Sequence, residues 1–237
     1  MGLVPESMKD SKMYGIELDS ITGRIAKQLY QNANISIEGY EDTKLPDSFF
    51  DVAVGNVPFG QFGVVDKRYD KYHFNIHDYF FAKTLDKVRP GGIIAFVTSR
   101  FTMDKANSSV RKYISERAEL LGAIRLPNNT FSESANTKAV SDILVLQKRD
   151  RPMVVDEAWL YTEKDSQGNV MNSYFVSHPN MILGNVEKSK NMYGREDLTV
   201  TPYEDVTLKE ALDSAIQSIH GHIENSIINE LELDSNE

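Results

Sequence analysis

The chain has 237 residues, of which 41% are hydrophobic and 26% charged, a balance typical of a globular protein with one sizeable core. It contains no cysteine, which excludes disulfides, thiolate metal sites and cysteine nucleophiles and fits a reducing cytoplasm, where we expect the protein to be located. The net charge of −9 is uneven, because residues 1–150 carry 20 Lys and Arg against 19 Asp and Glu, and residues 151–237 carry 6 against 16. No run of apolar residues is long enough to cross a bilayer, so we expect no membrane association.

The first predicted elements alternate between strand and helix. Residues 12–17 predict a short strand that ends on Glu17, and Asp19 or Ser20 can cap a helix that runs to about Tyr30. Residues 35–37 predict another strand. Residues 50–54 predict a buried strand that leads into Gly55 and a loop beginning at Asn56.

The pattern continues with a helix over 76–88, an apolar strand over 93–97, a helix from about 108 to 118 and two strands at 121–126 and 140–147. Strands that alternate with helices favour a doubly wound α/β domain with a mostly parallel sheet over residues 1–150. The last two strands have no helix between them, which predicts an antiparallel edge. In such sheets ligands bind at the carboxyl ends of the strands, where Glu17, residues 40–42 and Asn56 are expected.

Residues 151–237 form the acidic C-terminal extension, in which the alternating pattern weakens. Apolar residues then recur at helical spacing and predict one amphipathic helix over about 206–232. This helix can pack on its own domain, or it can dock onto a partner or onto other parts of a longer polypeptide. The apolar positions are Leu208, Leu212, Ile216, Ile219, Ile223, Ile227 and Leu231.

The loop Asn56-Val57-Pro58-Phe59 is the main candidate for catalysis. An exocyclic amine is a poor nucleophile because its lone pair is delocalised, and two acceptors that hold its N–H bonds can direct the lone pair at a methyl donor. The Asn56 side-chain oxygen and the Val57 carbonyl can be these acceptors, and Pro58 favours an extended Val57. Phe59 offers a face on which a flipped base can stack. A simple turn at the end of a strand is the alternative interpretation of this tetrapeptide.

The stretch from Tyr14 to Lys148 resembles the catalytic domain of the N6-adenine DNA methyltransferases, whose motif is Asn-Pro-Pro-Tyr/Phe. It resembles especially the methylase segment of large bacterial mobile-element proteins, in which methylase and helicase-like regions share one polypeptide. Val57 replaces the first proline and keeps the carbonyl acceptor. The resemblance implies a Rossmann-like fold, S-adenosylmethionine as cofactor and double-stranded DNA as substrate.

The same resemblance implies a cofactor site at the ends of the first two strands. Glu17, followed by Leu18, matches the acidic residue that binds the ribose hydroxyls of S-adenosylmethionine, since a carboxylate can accept from both hydroxyls of a cis-diol. The segment Tyr40, Glu41 and Asp42 falls where the family places an acid that binds the adenine of the cofactor. The alternatives are a helix-capping acid at Glu17 and a solvated acid in residues 40–42.

Substrate contacts are expected at two further places. Phe131, preceded by Asn129, lies where the family carries an aromatic residue that packs against the flipped base, although a core phenylalanine is the alternative. Lys67, Arg68 and Lys71 follow the catalytic loop and can bind phosphates, or they form a solvated charged loop. His73 and His77 have the spacing of a helical metal pair, but no third ligand follows at a suitable spacing, so we expect no metal.

The family's glycine-rich cofactor loop, expected about 20 residues before Glu17, does not occur in the sequence. The chain therefore resembles an N-terminally truncated methyltransferase domain, and we expect weak cofactor binding and poor methylation by this polypeptide alone. Cytosine C5 methylation is excluded by the absence of cysteine, and Asn56 argues against cytosine N4 methylation, which usually uses a serine there. Two other functions stay open: amino-methylation of a protein glutamine or RNA base, and a non-catalytic docking module of a larger protein.

Overall fold

A computed structural model describes residues 1–132, 139–190, 194 and 196–222. The chain divides into two compact units, which are described separately below. The first unit consists of Met1–Pro46 and Val64–His73, and the second consists of Asp47–Gly63 and Phe74–Glu237. Within the described ranges, no helix is both long enough and apolar enough to span a bilayer.

The first unit contains a parallel pair of short strands and one helix. Strand β1 (Tyr14–Glu17) pairs with β2 (Asn34–Ile37), and helix α1 (Ser20–Leu29) connects them. Asp19 caps α1 as expected, since its side chain accepts a hydrogen bond of 2.7 Å from the Thr22 amide. Short 3-10 turns at Glu6–Met8, Tyr40–Asp42 and Asp70–Tyr72 complete this unit.

The second unit is built on a four-stranded sheet. Its strands are β3 (Phe50–Asn56), β4 (Val88–Ser99), β5 (Ala118–Leu126) and β6 (Ser141–Lys148). Helix α2 (Ile76–Lys87) connects β3 to β4, and α3 (Phe101–Asp104) and α4 (Ser109–Ser115) connect β4 to β5.

The sheet has the order β3-β4-β6-β5. Strand β3 is parallel to β4, whereas β6 is antiparallel to both β4 and β5, so three of the four strands run in the same direction. This confirms the predicted α/β class and the antiparallel pairing of the last two strands. Strand β6 lies inside the sheet between its neighbours, and β5 takes the outer position.

Strand β4 begins at Val88, five residues before the apolar run that predicted it. Residues 88–92 include Gly91, which has a left-handed φ of 72°, and the pairing with β3 shifts its register between Phe50 and Val52. A glycine adopts this conformation without the steric penalty of a side chain, so the strand passes through Pro90-Gly91-Gly92 although this tripeptide normally indicates a loop.

The C-terminal extension packs on the same core as the sheet. It contains β7 (Thr162–Lys164), β8 (Val170–Asn172), α5 (Ser173–Ser177), β9 (Asn185–Lys190), β10 (Glu196–Thr201) and α6 (Leu208–Ile216), with 3-10 turns at Ala158–Leu160 and Pro179–Met181. Its side chains Trp159, Phe175, Leu183 and Val200 are buried with those of β5 and β6 in one cluster. The boundary expected at residue 150 therefore does not coincide with the division into units.

The C-terminal helix is shorter than the sequence pattern indicates. We expected a helix over about 206–232, but α6 ends at Ile216, and residues 217–222 are not helical. The side chain of Gln147 accepts a hydrogen bond from the His222 amide at 2.8 Å and donates one to the His222 carbonyl at 2.6 Å. Because these backbone groups bond to Gln147, they are not available to an α-helix. Residues 223–232 of the expected helix lie outside the described residues.

Candidate active site at the carboxyl end of the sheet

The Asn56 loop begins where β3 ends, and its second residue anchors it. Asn56 pairs with Val97 in the parallel ladder, and the Val57 amide donates a 3.0 Å hydrogen bond to the Val97 carbonyl. The side chain of Val57 is buried, whereas Asn56, Pro58 and Phe59 are exposed. In the described part of the chain, no hydrogen bond uses the Asn56 side chain or the Val57 carbonyl. Both acceptors that the sequence indicated are thus without an internal hydrogen-bond partner in the described residues, and of the two residues Asn56 is exposed.

The continuation of this loop folds back onto the start of α2. The Ile76 amide donates a 2.7 Å hydrogen bond to the Phe62 carbonyl. A Cβ atom added at Gly60 would lie 2.4 Å from the Phe62 ring, and one added at Gly63 would lie 2.9 Å from the Phe74 carbonyl oxygen. Glycine is therefore required at Gly63, where the close atom belongs to the backbone, whereas the exposed Phe62 ring could move away from a side chain at position 60.

An exposed phenylalanine follows β4 at the same edge of the sheet. Phe101 is 46% exposed, and the guanidinium of Arg100 lies 4.3 Å from the centre of its ring. Arg100 is itself fixed by ion pairs to Asp104, at 3.1 Å, and to Asp197. Since β3 and β4 are parallel, Phe101 and Asn56 both lie at their carboxyl ends. Phe101 is not among the site residues predicted from the sequence, although its position directly after a predicted strand was a usable signal.

The segment after β5 carries the two residues expected to contact the substrate base. Asn129 is exposed, and Phe131 is partly buried against the core. The Asn128 amide donates to the Val200 carbonyl at 2.8 Å, which fastens this segment to β10. A cavity of about 510 Å³ lies beside it. Its lining includes Asn129, Thr130, Ser132, Leu183, Tyr203 and Val206. The roles of Asn129 and Phe131 stay predictions.

A buried ionic network lies near the carboxyl end of β5. Arg125 on β5 is fully buried and donates two 2.8 Å hydrogen bonds to Asp142 on β6 and one of 3.0 Å to Asp104. Burial alone would lower the pKa of Arg125, but the carboxylates of Asp142 and Asp104 raise it above the ordinary value. Arg125 therefore stays charged, and its guanidinium lies 4.2 Å from the ring centre of Phe175 in the extension.

The predicted cofactor residues lie together in the first unit. Glu17 is half-buried at the end of β1 and accepts a 2.9 Å hydrogen bond from the Asp19 amide through one of its two oxygens. Leu18 is 75% exposed. The 3-10 turn Tyr40–Asp42 follows the end of β2, with Tyr40 buried, Glu41 half-buried and Asp42 exposed. Because β1 and β2 are parallel, their carboxyl ends bring both acidic segments to one end of the pair.

The basic residues after the Asn56 loop are exposed and also belong to the first unit. Lys67, Arg68 and Lys71 are all exposed. The Arg68 guanidinium lies 5.8 Å from the ring centre of Tyr69, and the Lys71 ammonium lies 4.9 Å from that of Tyr72. They are solvent-accessible cations, and their contact with phosphates stays a prediction.

His73 and His77 do not share a helical face. His73 has a left-handed φ of 51° and precedes α2, whereas His77 lies inside the first turn of this helix and is buried. Within the residues that the structure describes, no three His, Cys, Asp or Glu side chains are grouped so that they could hold a metal ion.

The fold is that of an S-adenosylmethionine-dependent methyltransferase, and S-adenosylmethionine is the cofactor that this class implies. One of the two Glu17 oxygens bonds to the Asp19 amide, and the other is compatible with a ribose hydroxyl. The model of the N-6 DNA methylase family matches residues 4–213, so the chain belongs to this family.

Known proteins similar to the chain cover it to different extents. It is 30% identical over 171 residues to the protein Defense against restriction protein B of Escherichia phage P1, a match that covers 70% of this chain and 8% of that protein. The chain therefore spans less than a tenth of the length of this relative. A modification subunit assigned to a type I restriction enzyme of Vibrio vulnificus YJ016 is 16% identical, with a TM-score of 0.49 over 88% of this chain and 50% of the subunit. A protein of Listeria monocytogenes assigned to the class I S-adenosylmethionine-dependent methyltransferases is 20% identical, with a TM-score of 0.48 over 59% of this chain and 45% of that one.

Proposed function

We propose that the Asn56–Phe59 loop methylates the N6 amine of an adenine that is flipped out of double-stranded DNA. The observation that carries this proposal is which polar groups of the loop make hydrogen bonds within the chain and which do not. The Val57 side chain and amide are used for anchoring, while no hydrogen bond in the described part of the chain uses the Asn56 amide oxygen, which is exposed, or the carbonyl of the buried Val57. Two acceptors on adjacent residues match the two N–H bonds of an exocyclic amine.

In the proposed reaction the chain orients the amine and does not form a covalent bond to it. Asn56 and Val57 accept from the two amine hydrogens, which directs the nitrogen lone pair at the methyl group. S-adenosylmethionine, held by Glu17 and the segment Tyr40–Asp42, would supply the methyl group in exchange for one amine proton, which would pass to solvent. Phe59, which is 40% exposed, offers its ring to stack on the base.

The other site residues take roles that follow from their placement. We assign Glu17, with Leu18 beside it, to the ribose of the cofactor, and the segment Tyr40, Glu41 and Asp42 to its adenine. Asn129 and Phe131 are assigned to the target base. Lys67, Arg68 and Lys71 are assigned to DNA phosphates.

We also propose that the chain works in the cytoplasm as part of a longer polypeptide. The support is the length of the phage relative, of which the matched region is only 8%. The other parts would supply a glycine-rich cofactor loop and a helicase-like region, and DNA sequence recognition would lie there too.

The test is a mass-spectrometric analysis of nucleosides from cells that express the longer protein. We expect N6-methyladenine with the native sequence. Asn56→Ala should lower its formation about 10²- to 10³-fold, as expected for the loss of one preorganised polar group, without lowering thermal stability. Asn56→Asp, which keeps one acceptor oxygen at the same position, is the matched control and should retain more activity than Asn56→Ala.

Two outcomes would contradict the proposal. Methylated glutamine or methylated RNA without methylated DNA would redirect the same loop to another amine. An unchanged amount of N6-methyladenine with the Asn56→Ala variant would show that the Asn56 loop does not take part in the reaction.

A further inference from the structure

Phe101 is an exposed aromatic side chain on a backbone that is held in place. It is the first residue of α3 and follows the end of β4 by two positions. The Phe101 amide donates a 3.3 Å hydrogen bond to the Ser99 hydroxyl, and the Phe101 carbonyl accepts one of 3.3 Å from the Lys105 amide. One exposed phenylalanine is common on a protein surface, so its neighbours and its place in the fold decide whether it has a role.

The cation that lies over the Phe101 ring is already neutralised. The guanidinium of Arg100 is 4.3 Å from the centre of the ring, and Arg100 itself is buried. This guanidinium pairs with Asp104 at 3.1 Å and with Asp197 on β10. Two carboxylates thus occupy the group that could otherwise bind a phosphate. The surface that Arg100 and Phe101 offer to a ligand is the apolar ring, which suits a base better than the DNA backbone.

Phe101 lies close to the Asn56 loop along the sheet. Val97 on β4 pairs with Asn56, and its carbonyl accepts the 3.0 Å hydrogen bond from the Val57 amide. Phe101 follows Val97 by four residues, so their Cα atoms are at most about 14 Å apart. Stacked bases are about 3.4 Å apart, so this limit corresponds to about four base steps. The bases next to an adenine that is held at Asn56 are therefore within reach of Phe101.

We infer that Phe101 binds DNA by packing its exposed ring against the bases that a flipped adenine leaves behind in the duplex. Flipping takes one base out of the stack and exposes the apolar faces of its neighbours. A phenylalanine inserted between bases restores apolar contact there. Phe59, which lies on the loop itself, keeps its proposed place on the adenine. The inference rests on the proposed function for DNA as substrate and for the Asn56 loop as the place of the amine.

The first part of the test detects the contact directly and does not depend on methylation. The longer protein is irradiated with duplex DNA in which 5-iodouracil replaces thymine, and the cross-linked peptides are identified by mass spectrometry. We expect a cross-link at Phe101, because thymine is the base that adenine leaves unpaired. Phe49 is the matched control, since it is 49% exposed against 46% for Phe101 but precedes β3, at the opposite end of the strand from Asn56. We expect no cross-link there.

The second part measures the rate at which N6-methyladenine forms. Phe101→Ala should lower this rate about 10- to 100-fold, the range expected for the loss of one contact between an aromatic ring and a base. Phe101→Leu keeps an apolar side chain that can insert between bases, so it should retain most of the rate. Phe49→Ala should leave the rate unchanged.

Three results would overturn the inference. The first is a set of DNA-linked peptides that lacks Phe101, and the second is methylation by Phe101→Ala at the native rate. The third is an equal loss of rate in Phe101→Ala and Phe101→Leu together with a lowered melting temperature in both, which would assign the ring to packing within the protein. A cross-link at Phe101 in a protein that forms no N6-methyladenine would instead refute the proposed reaction and leave the contact with DNA bases standing.

Discussion

Arg125 shows how a single residue can connect the candidate site to the rest of the core. It is fully buried on β5, bonds to Asp142 and Asp104, and packs over the ring of Phe175. Asp104 also pairs with Arg100, which lies against the exposed Phe101. The position of Phe101 thus depends on a network that begins inside the sheet.

Replacing Arg125 by methionine should destabilise the second unit by about 3–5 kcal/mol, because Asp142 would keep a buried charge without its partner. The measurement is the free energy of unfolding in urea. The double variant Arg125→Met with Asp142→Leu should recover a large part of this loss. Equal stabilities of the single and double variants would show that Asp142 does not need its partner.

His77 gives a prediction of pH dependence at the residue scale. Burial lowers its pKa in the folded protein, so between this pKa and the ordinary value of about 6.5 the unfolded chain binds more protons. The contribution of the neutral ring to stability is therefore complete above pH 6.5 and is lost as the pH falls below it. As the pH is lowered from 7.5 to 5.5, the native protein should lose more unfolding free energy than the His77→Gln variant does. A constant difference would contradict the buried neutral ring.

At the scale of elements, the extension covers the outer edge of the sheet. The Leu183 amide donates to the Arg125 carbonyl of β5 at 2.9 Å, and just after the strand the Asn128 amide donates to the Val200 carbonyl, so residues far along the chain bond to the end of β5 and to the segment that follows it. Phe175, Trp159 and Val200 add buried apolar area. The extension is thus part of the hydrophobic core of the second unit.

Phe175→Ala should lower the free energy of unfolding of the second unit by about 3–5 kcal/mol, the usual cost of a large cavity in a core. The reporter should be a probe in the sheet itself, such as amide exchange in β6. Tyr161→Ala is the control, because Tyr161 is 53% exposed in the same extension, and it should change stability by less than about 0.5 kcal/mol. If sheet exchange stays unchanged in Phe175→Ala, the extension unfolds independently.

At the scale of the whole molecule, the sequence predicted the elements whose patterns are local. The strand before Asn56, the Asp19 cap and the α2 helix are present near their expected bounds, because each depends on short-range periodicity or capping. The α/β class follows from the alternation of these elements, and the position of Asn56 at the end of β3 follows from the apolar run before it, while the role of the loop stays a prediction.

Long-range features could not be predicted in the same way. The insertion of β6 between β4 and β5 depends on pairing over many residues, and the packing of the extension depends on isolated apolar residues without a period. The helix predicted up to about residue 232 ends at Ile216, and six residues later the His222 backbone bonds to Gln147, a partner 75 residues away that no local pattern indicates. The exposed stripe Ile21, Ile25 and Leu29 on α1 has the period of a buried face, but it is not buried in this structure.

Strand β3 ends the four-stranded sheet, and in the described ranges it has a ladder partner on one side only. Val54 is 77% exposed and Val52 is 39% exposed on this strand. An open, apolar strand edge is a template for self-association, so the isolated chain should aggregate as its concentration rises. Val54→Lys should increase the monomer fraction in concentrated solution, measured by light scattering, whereas Lys67→Val on the exposed surface should not. If the native chain, with valine at position 54, stays monomeric at the same concentration, the edge of β3 does not promote self-association.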